Sequence, residues 1–540
     1  MGMPHEIRTI STVHARRLPA GVPIYILPFI SGAAAGDISS ARRRPMMDLE
    51  TIDRVIAQGP FDANWESLSH MQAPAWFADA KFGIFTHWGL YTVPEFRNEW
   101  YSRNMYIKGY PEFEHHINTY GPHKEFGYKD FIPMFTAEAF DANEWLDLFK
   151  AAGAKYYFPV SEHHDGFQMY RSELSRWNAV DMGPHRDILG ELREATLNRD
   201  MHFATSNHRA EHWWFMGHGR EFDSDVREPM QRGDFYWPAQ PEPDNQDLFS
   251  TPYPSEEFLE DWLLRVCEII DNYCPELLYF DWWVQHSAFN PYMQKLAAFY
   301  YNLGKELGLP VAICYKEDGM AWGSGLVDVE RGGFADAKPY VWQTDTAIAR
   351  NSWCYTNSLE YKTLAELLVT LVDTVSKNGN LLLNVGPRAD GSIAEHDRKL
   401  LEGIGRWMQV NGEAIYGSRP WRLAQEGPTS TPSGSFSDQQ AIVWTSKDFR
   451  FTSKNGAIYA CCLNPGDCQQ VTITSMKSYH NSEQPPFHGV IRNVEQLGAG
   501  KVSFDRNAEG LNISVRQESV QRDFTNANAS LPVVFKITVE

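Results

Sequence analysis

Four short stretches concentrate the side chains able to do chemistry: His87-Trp88, Glu162-His163-His164-Asp165-Gly166-Phe167, Ser206-Asn207-His208 and Tyr279-Phe280-Asp281-Trp282-Trp283. Neutral imidazole and amide groups donate and accept hydrogen bonds together, as sugar hydroxyls do. Indole faces suit the C–H side of a pyranose. The reaction open to a carboxylate in such company is glycoside cleavage, which two carboxyl groups perform. Asp281 is the first candidate nucleophile. It follows an apolar run, is flanked by aromatic residues, and needs donors to stay ionised, for which His87 and His163 or His164 are available. The plainer alternative is an Asp capping the next turn. A metal site at His87 with His163-His164-Asp165 is disfavoured, because neighbours on an extended chain point to opposite sides; we expect no metal and no cofactor. Arg209 and Glu211 read as a structural ion pair. His115-His116, between Pro111 and Gly121, read as a solvated loop, and Asp187 as a helix N-cap.

These residues need a scaffold that brings strand ends to one rim. Apolar runs predict strands at 82–88, 155–161, 202–206, 276–282, 311–315 and 380–385. Between them, helical spacing predicts helices at 48–57, 141–152, 187–197, 255–273, 291–307 and 359–376; Phe258, Trp262, Val266 and Ile270 show the period. Strand-helix alternation implies a parallel sheet covered by helices. No glycine-rich phosphate turn follows the first strand, which argues against an open dinucleotide-type sheet. The expectation is a (β/α) TIM-like barrel, with its active site at the C-terminal strand ends. Residues 217–254, rich in Asp, Pro and Gly, read as an excursion over the mouth and as the place where linkage preference is set. Beyond 418, turn residues separate short strands at 440–445, 457–462, 470–474, 502–504, 511–515 and 533–539, an antiparallel β-sandwich pattern. The chain thus divides into an N-terminal extension (1–60), a catalytic barrel (61–418) and a C-terminal β-sandwich (419–540), the last read as a brace.

The 540 residues carry 49 Lys+Arg against 69 Asp+Glu, a net charge of −20. That argues against a nucleic-acid partner, which requires a basic face, and against docking on anionic membrane. No apolar run reaches the ~18–20 residues of a membrane span. Residues 20–35 follow Arg16-Arg17 but contain Pro23 and Pro28, a poor signal peptide, so a cytoplasmic location is favoured over a secreted one. The seven cysteines show neither zinc-type pairing nor a disulfide framework. Asn512-Ile513-Ser514 and Asn528-Ala529-Ser530 are glycosylation sequons, relevant only to a secreted chain.

The stretch from Trp76 through Lys81-Phe82-Gly83-Ile84-Phe85-Thr86-His87-Trp88-Gly89 resembles the opening of the α-L-fucosidases of glycoside hydrolase family 29. The resemblance continues through Glu99-Trp100-Tyr101, Glu162-His163-His164-Asp165-Gly166-Phe167, Trp177-Asn178, Asn378-Gly379-Asn380-Leu381-Leu382-Leu383-Asn384-Val385-Gly386-Pro387 and Asn411-Gly412-Glu413-Ala414-Ile415-Tyr416-Gly417. It implies a barrel followed by a β-sandwich, and cofactor-free hydrolysis of terminal α-L-fucosides in fucosylated glycans or glycoconjugates, with retention. It places the nucleophile on Asp281 and fucose-binding residues on His87, Glu99, Trp100, His163 and His164, with Tyr279 two positions before the nucleophile. Near Asn207-His208 the chain departs from the tyrosine of some members. The acid/base falls in a variable stretch holding Glu317, Asp328, Glu330 and Asp345. Counting back from Val341-Trp342-Gln343 points to Glu330, and Gln343 stands where many members carry Glu. The competing reading of Glu330 is a surface partner of Arg331. Trp282, Trp283 or Phe334 would wall the fucose methyl. A catalytically silent fucose-binding lectin on the same barrel is the alternative function.

Overall fold

Strands covered on both faces should be apolar throughout rather than alternating. In the computed structural model, which describes residues 46–227, 229–439, 441–478, 487–526 and 529–540, eight strands are buried along nearly their whole length, most of them apolar and a few polar. They are β1 (Phe82–Thr86), β2 (Tyr156–Glu162), β3 (His202–Asn207), β4 (Leu277–Phe280), β5 (Ala312–Lys316), β6 (Leu326–Asp328), β7 (Trp342–Ala347) and β8 (Gly379–Val385), and they close in that order into a parallel barrel. The closure is β1, which pairs with β2 (Gly83↔Tyr156) and with β8 (Phe82↔Leu381). A Cβ on Gly83 would lie 2.3 Å from the Tyr156 ring, so that strand contact requires glycine. Phe85, Phe158, Tyr279 and Leu382 fill the interior.

The predicted strands are found within a residue or two, except at their ends: 82–88 and 276–282 each stop two residues sooner. β6 and β7 have no counterpart in the sequence reading, because β6 is three residues long and β7 is largely polar. Two of its polar side chains, Gln343 and Asp345, point inward and find partners there, while Thr346 bonds Asp438. Gln343 Nε2 donates to Asp328 Oδ2 (2.8 Å), and the Tyr279 hydroxyl donates to Asp345 Oδ2 (2.9 Å).

Helices α1 (Leu49–Gln58), α2 (Pro111–Tyr120), α3 (Ala142–Ala152), α4 (Ile188–Leu197), α5 (Glu256–Tyr273), α6 (Asn290–Leu307), α7 (Leu364–Ser376) and α8 (Glu395–Asn411) include the outer layer. Their starts are chemically marked. Asp141 accepts from the amides of Asn143 and Glu144, Asp187 from Gly190 and Ser255 from Phe258, while Thr363 and Glu366 form a capping box. α2 corrects the reading of His115-His116 as a solvated loop. Pro111 opens a helix, His116 is buried with Nε2 against the Phe126 carbonyl (2.9 Å), and His115 stacks on Phe96. No described helix is long and apolar enough to cross a membrane.

After the barrel come a six-stranded antiparallel sheet, in the order β14-β13-β17-β11-β10-β9, and a three-stranded one, β12-β16-β15. Their ranges are β9 Arg419–Glu426, β10 Phe449–Lys454, β11 Ala457–Cys462, β12 Gln470–Ile473, β13 Ile491–Gln496, β14 Gly500–Lys501, β15 Phe504–Arg506, β16 Leu511–Ser514 and β17 Val533–Val539. Period-2 alternation splits the large sheet. Ile458, Ala460 and Cys462 face the small sheet's Val471 and Ile513, while Tyr459 and Cys461 join the barrel's core. Arg450 on β10 also pairs with Asp373 of α7, which Lys377 holds from the other side. The strand expected at 440–445 is not present: residues 441–445 are irregular. Residues 20–35, Gln440 and Asn528 lie outside the described residues. Among the described residues no disulfide joins the cysteines.

Candidate active site

The ends of β1, β2, β3, β4, β5 and the segment after β6 deliver their side chains to one cleft. His87, Glu99, Trp100, His163, His164, His208, Tyr279, Asp281, Trp282 and Glu330 all line it. Asn207 does not. Its Oδ1 accepts from the Arg209 amide (3.1 Å) and it is wholly buried, because adjacent residues at the end of β3 face opposite ways and His208 takes the inward side. Trp283 also turns away, at φ 77°, onto Trp213 and Trp214, and Phe334 packs on Trp342. Of the three aromatic residues suggested for the methyl wall, Trp282 alone reaches the cleft.

Asp281 is held by three donors. His208 Nδ1 donates to Oδ2 (2.8 Å), and Lys316 Nζ (2.7 Å) and the Trp282 amide (2.9 Å) donate to Oδ1. Burial alone would raise this carboxyl, but the Lys316 ammonium and His208 outweigh it and hold Asp281 well below the usual carboxylate range. The side-chain donors are thus His208 and Lys316, not the His87 and His163 or His164 of the sequence reading. His164 Nε2 stands 3.6 Å from Asp281 Oδ2 while its Nδ1 donates to the His208 carbonyl (2.9 Å), so the neutral ring presents an acceptor beside Asp281.

Glu330 sits across Lys316. Both Lys316 Nζ (2.5 Å) and Trp282 Nε1 (2.7 Å) donate to its Oε2, which leaves Oε1 to carry a proton. Burial is the leading cause that pushes this carboxyl up, to about 7, with Lys316 opposing and Asp281 reinforcing. Arg331 is not its partner, but lies over the Trp353 ring and donates to the Ala349 carbonyl. Glu317 is exposed and Asp328 lies below the cleft, bonded to Gln343, while Asp345 reaches the cleft floor under the Tyr279 hydroxyl. Because one ammonium bonds both Asp281 and Glu330, the two oxygens it touches are at most about 5 Å apart. So close an approach suits the ~5–5.5 Å separation of a retaining pair better than the ~6.5–9.5 Å that leaves room for water.

The remaining histidines are kept neutral by burial. It pushes His164 down to about 3 and His87 and His163 well below their ordinary value, with neighbouring imidazoles adding to the effect. His87 Nδ1 donates to Asn384 Oδ1 (2.7 Å), which fixes the ring. Glu99 accepts from the Trp353 amide (2.9 Å). Ligand atoms of His87, His163 and His208 lie within 4.8 Å of one another, spacing a cation could use. His208, however, has both nitrogens engaged, by Asp281 and by Ser206 Oγ (2.9 Å), so the residues fit a hydrogen-bonded cluster better than a ligand set.

Sequence reasoning missed Glu211, Lys316, Trp353 and Phe436 in the cleft. Lys316 is the last residue of β5, and the strand-end rule would have selected it had that strand been read one residue longer. Glu211 had been paired with Arg209, but Arg209 is bound to Glu162 and Asp261 (2.9 Å each) in a buried network that Arg265 completes. No sequence signal marks Trp353 or Phe436. None of 217–254 lines the cleft among the described residues; Glu242 instead grips Arg103, whose guanidinium covers Trp100.

Lys316 acts through the two carboxyls and is a positioning residue. With Lys316→Met they lose their shared cation, and both acidities fall. The expected result is a loss of about 10²-fold in kcat/KM, the scale of a removed electrostatic contact, with both limbs of the pH–rate profile displaced upward and partial rescue by Lys316→Arg. A uniform loss without limb movement would show that Lys316 only supports the fold.

A family model described as Alpha-L-fucosidase matches residues 49–413. The chain is 36% identical over 392 residues to the plasma alpha-L-fucosidase of Homo sapiens, covering 69% of this chain and 75% of that one. It is 29% identical over 474 residues to the tissue alpha-L-fucosidase of Mus musculus, covering 82% and 92%. Among solved structures it is similar to the Thermotoga maritima alpha-fucosidase, at 28% identity and a TM-score of 0.67, covering 88% of this chain and 100% of the other. The same protein in complex with fucose matches with a TM-score of 0.66.

Proposed function

The chain belongs to the α-L-fucosidase family, and from that membership we infer an exo-acting hydrolase that removes terminal α-L-fucose from glycans or glycoconjugates through a covalent fucosyl-enzyme. Asp281 attacks the anomeric carbon from the face opposite the leaving group. Glu330 gives its Oε1 proton to the departing oxygen, then takes a proton from the water that attacks the fucosyl-enzyme and frees Asp281. Neutral His87, His163 and His164 match sugar hydroxyls as donors and acceptors. Glu99 and Trp100 flank the same ring, and Tyr279 and Trp282 give it apolar contact. Residues 61–418 serve as the catalytic unit, and 419–540 pack against it.

The observation that carries this reading is the single Lys316 ammonium on both Asp281 and Glu330, which supports the close approach a retaining pair needs. A silent lectin has no use for one carboxyl held ionised beside another held protonated. Proton NMR of 4-nitrophenyl α-L-fucoside hydrolysis tests it: α-fucose is expected as the first anomer, with β-fucose growing in by mutarotation. β-Fucose first would mean inversion and would remove Asp281 as a nucleophile.

A further inference from the structure

Phe436 is the single residue in the described lining of the cleft that comes from beyond the barrel. It rides on a strap that pairs antiparallel with the loop bearing Glu330. The Gly434 amide donates to the Gly333 carbonyl (2.8 Å), the Phe436 amide to the Glu330 carbonyl (2.8 Å) and the Asp438 amide to the Arg331 carbonyl (3.0 Å). The approach is so close that a Cβ on Gly332 would sit 1.9 Å from the Gly434 carbonyl oxygen. The strap is pinned from the barrel side, where Lys362 and Thr346 both donate to Asp438.

Two features of Phe436 are unusual for a bulky apolar residue. Its φ is +57°, a left-handed conformation that such residues rarely hold unless their surroundings impose it. Its side chain is also 47% exposed in spite of that constraint. The ring lies nearly parallel to Trp282, at 16° with centroids 6.2 Å apart, and Trp282 is the indole that donates to Glu330. The exposed Phe436 ring and the half-buried Trp282 ring therefore form an apolar shelf beside the acid.

Resting on the fucosidase reading, we propose that Phe436 is a specificity-determining residue that receives the apolar C–H face of the sugar to which fucose is attached. The direction follows from the chemistry. A general acid must stand beside the oxygen it protonates, and that oxygen leaves with the aglycone, so a surface continued outward from Glu330 meets the leaving sugar, not fucose. An aromatic face left in water becomes favourable when the flat apolar side of a hexose covers it. The strap thus makes the C-terminal region a wall of the aglycone site as well as a brace.

The test compares kcat/KM on α-L-fucosyl fluoride, which has no aglycone sugar, with kcat/KM on a fucosyl-galactose disaccharide. It uses the full-length wild type, Phe436→Ala and Phe436→Trp. In Phe436→Ala the disaccharide-to-fluoride ratio is expected to fall about tenfold, the scale of a lost apolar pocket contact, with the change mostly in KM, and Phe436→Trp is expected to restore it. Equal losses on both substrates would overturn the proposal and make Phe436 a support for the Glu330 loop. An unchanged ratio with no loss on either would overturn it too. A wild type inert on both substrates would instead remove the fucosidase reading, and this inference with it.

Discussion

Asp281→Ala is expected to lower kcat on 4-nitrophenyl α-L-fucoside by about 10³–10⁵-fold, the range seen when a covalent nucleophile is removed while binding and electrostatic groups stay in place. The argument is local. Asp281 is in the cleft with both oxygens already engaged by donors to its charged form, from His208, Lys316 and the Trp282 amide. A group so held is ionised down to low pH, as a nucleophile must be. An Asp that merely caps a turn would accept from the amides that follow it. Here one local amide shares it with an ammonium and an imidazole from two other strand ends. Added azide supplies a replacement nucleophile. In Asp281→Ala it attacks the anomeric carbon directly as nitrophenolate leaves, a single inversion, so the product is β-fucosyl azide. Turnover near that of wild type, or an α-azide product, would remove Asp281 from the role. The fold should survive the substitution, because Asp281 follows β4 and is only partly buried. An unchanged unfolding midpoint would establish that.

How much of this was legible beforehand depends on where each residue's partners lie in the chain. His87, His163, His164 and Asp281 follow or end apolar strands, and a parallel barrel places strand ends at one mouth, so type and position sufficed. β7 was hidden for the converse reason. Gln343 and Asp345 point into the barrel, and their partners Asp328 and Tyr279 are distant in sequence, so the strand shows no apolar alternation. Asn207 and His208 were indistinguishable from sequence because a strand end decides only by its register which of two neighbours faces inward. Glu211 was misread because Arg209, two residues away, was the obvious counter-ion. The buried network with Glu162, Asp261 and Arg265 was not visible until the chain folded. Phe436 is the extreme case. Nothing in a segment of Gly, Ser, Thr and Pro announces a ring in a cleft built by the ends of the barrel strands. Its position follows from backbone pairing with residues 330–333, a contact across about a hundred residues of chain.

Glu330→Ala carries the second large effect, and its outcome depends on the leaving group in a way that separates it from Asp281→Ala. Nitrophenolate departs without a proton, so the first step persists and the fucosyl-enzyme accumulates; the second step, which needs a base to activate water, slows by about 10²–10⁴-fold. A disaccharide, whose alkoxide cannot leave unprotonated, should lose activity in the first step as well. Azide needs no base. It displaces the Asp281 carboxylate from the fucosyl-enzyme, a second inversion, so the product is α-fucosyl azide, the opposite anomer to that from Asp281→Ala. The pH profile supplies an independent readout. Burial raises the Glu330 carboxyl to about 7, so the wild type keeps the proton it must donate up to that pH, and kcat/KM should fall as pH rises through it. Asp281, held ionised by Lys316 and His208, sets the acidic limb far lower. In Glu330→Ala the basic limb should vanish. If it stays in place and azide gives no α-product, the proton donor is another carboxyl. Asp345 is the next to try, since of the three other carboxyls weighed for this role it alone lines the cleft. The Tyr279 hydroxyl already donates to its Oδ2, whereas Glu330 faces Asp281 across Lys316. Glu330 is favoured because the two donors on Oε2 leave Oε1 as the oxygen to carry the proton, and because the strap bearing Phe436 fixes its backbone where a leaving sugar must pass.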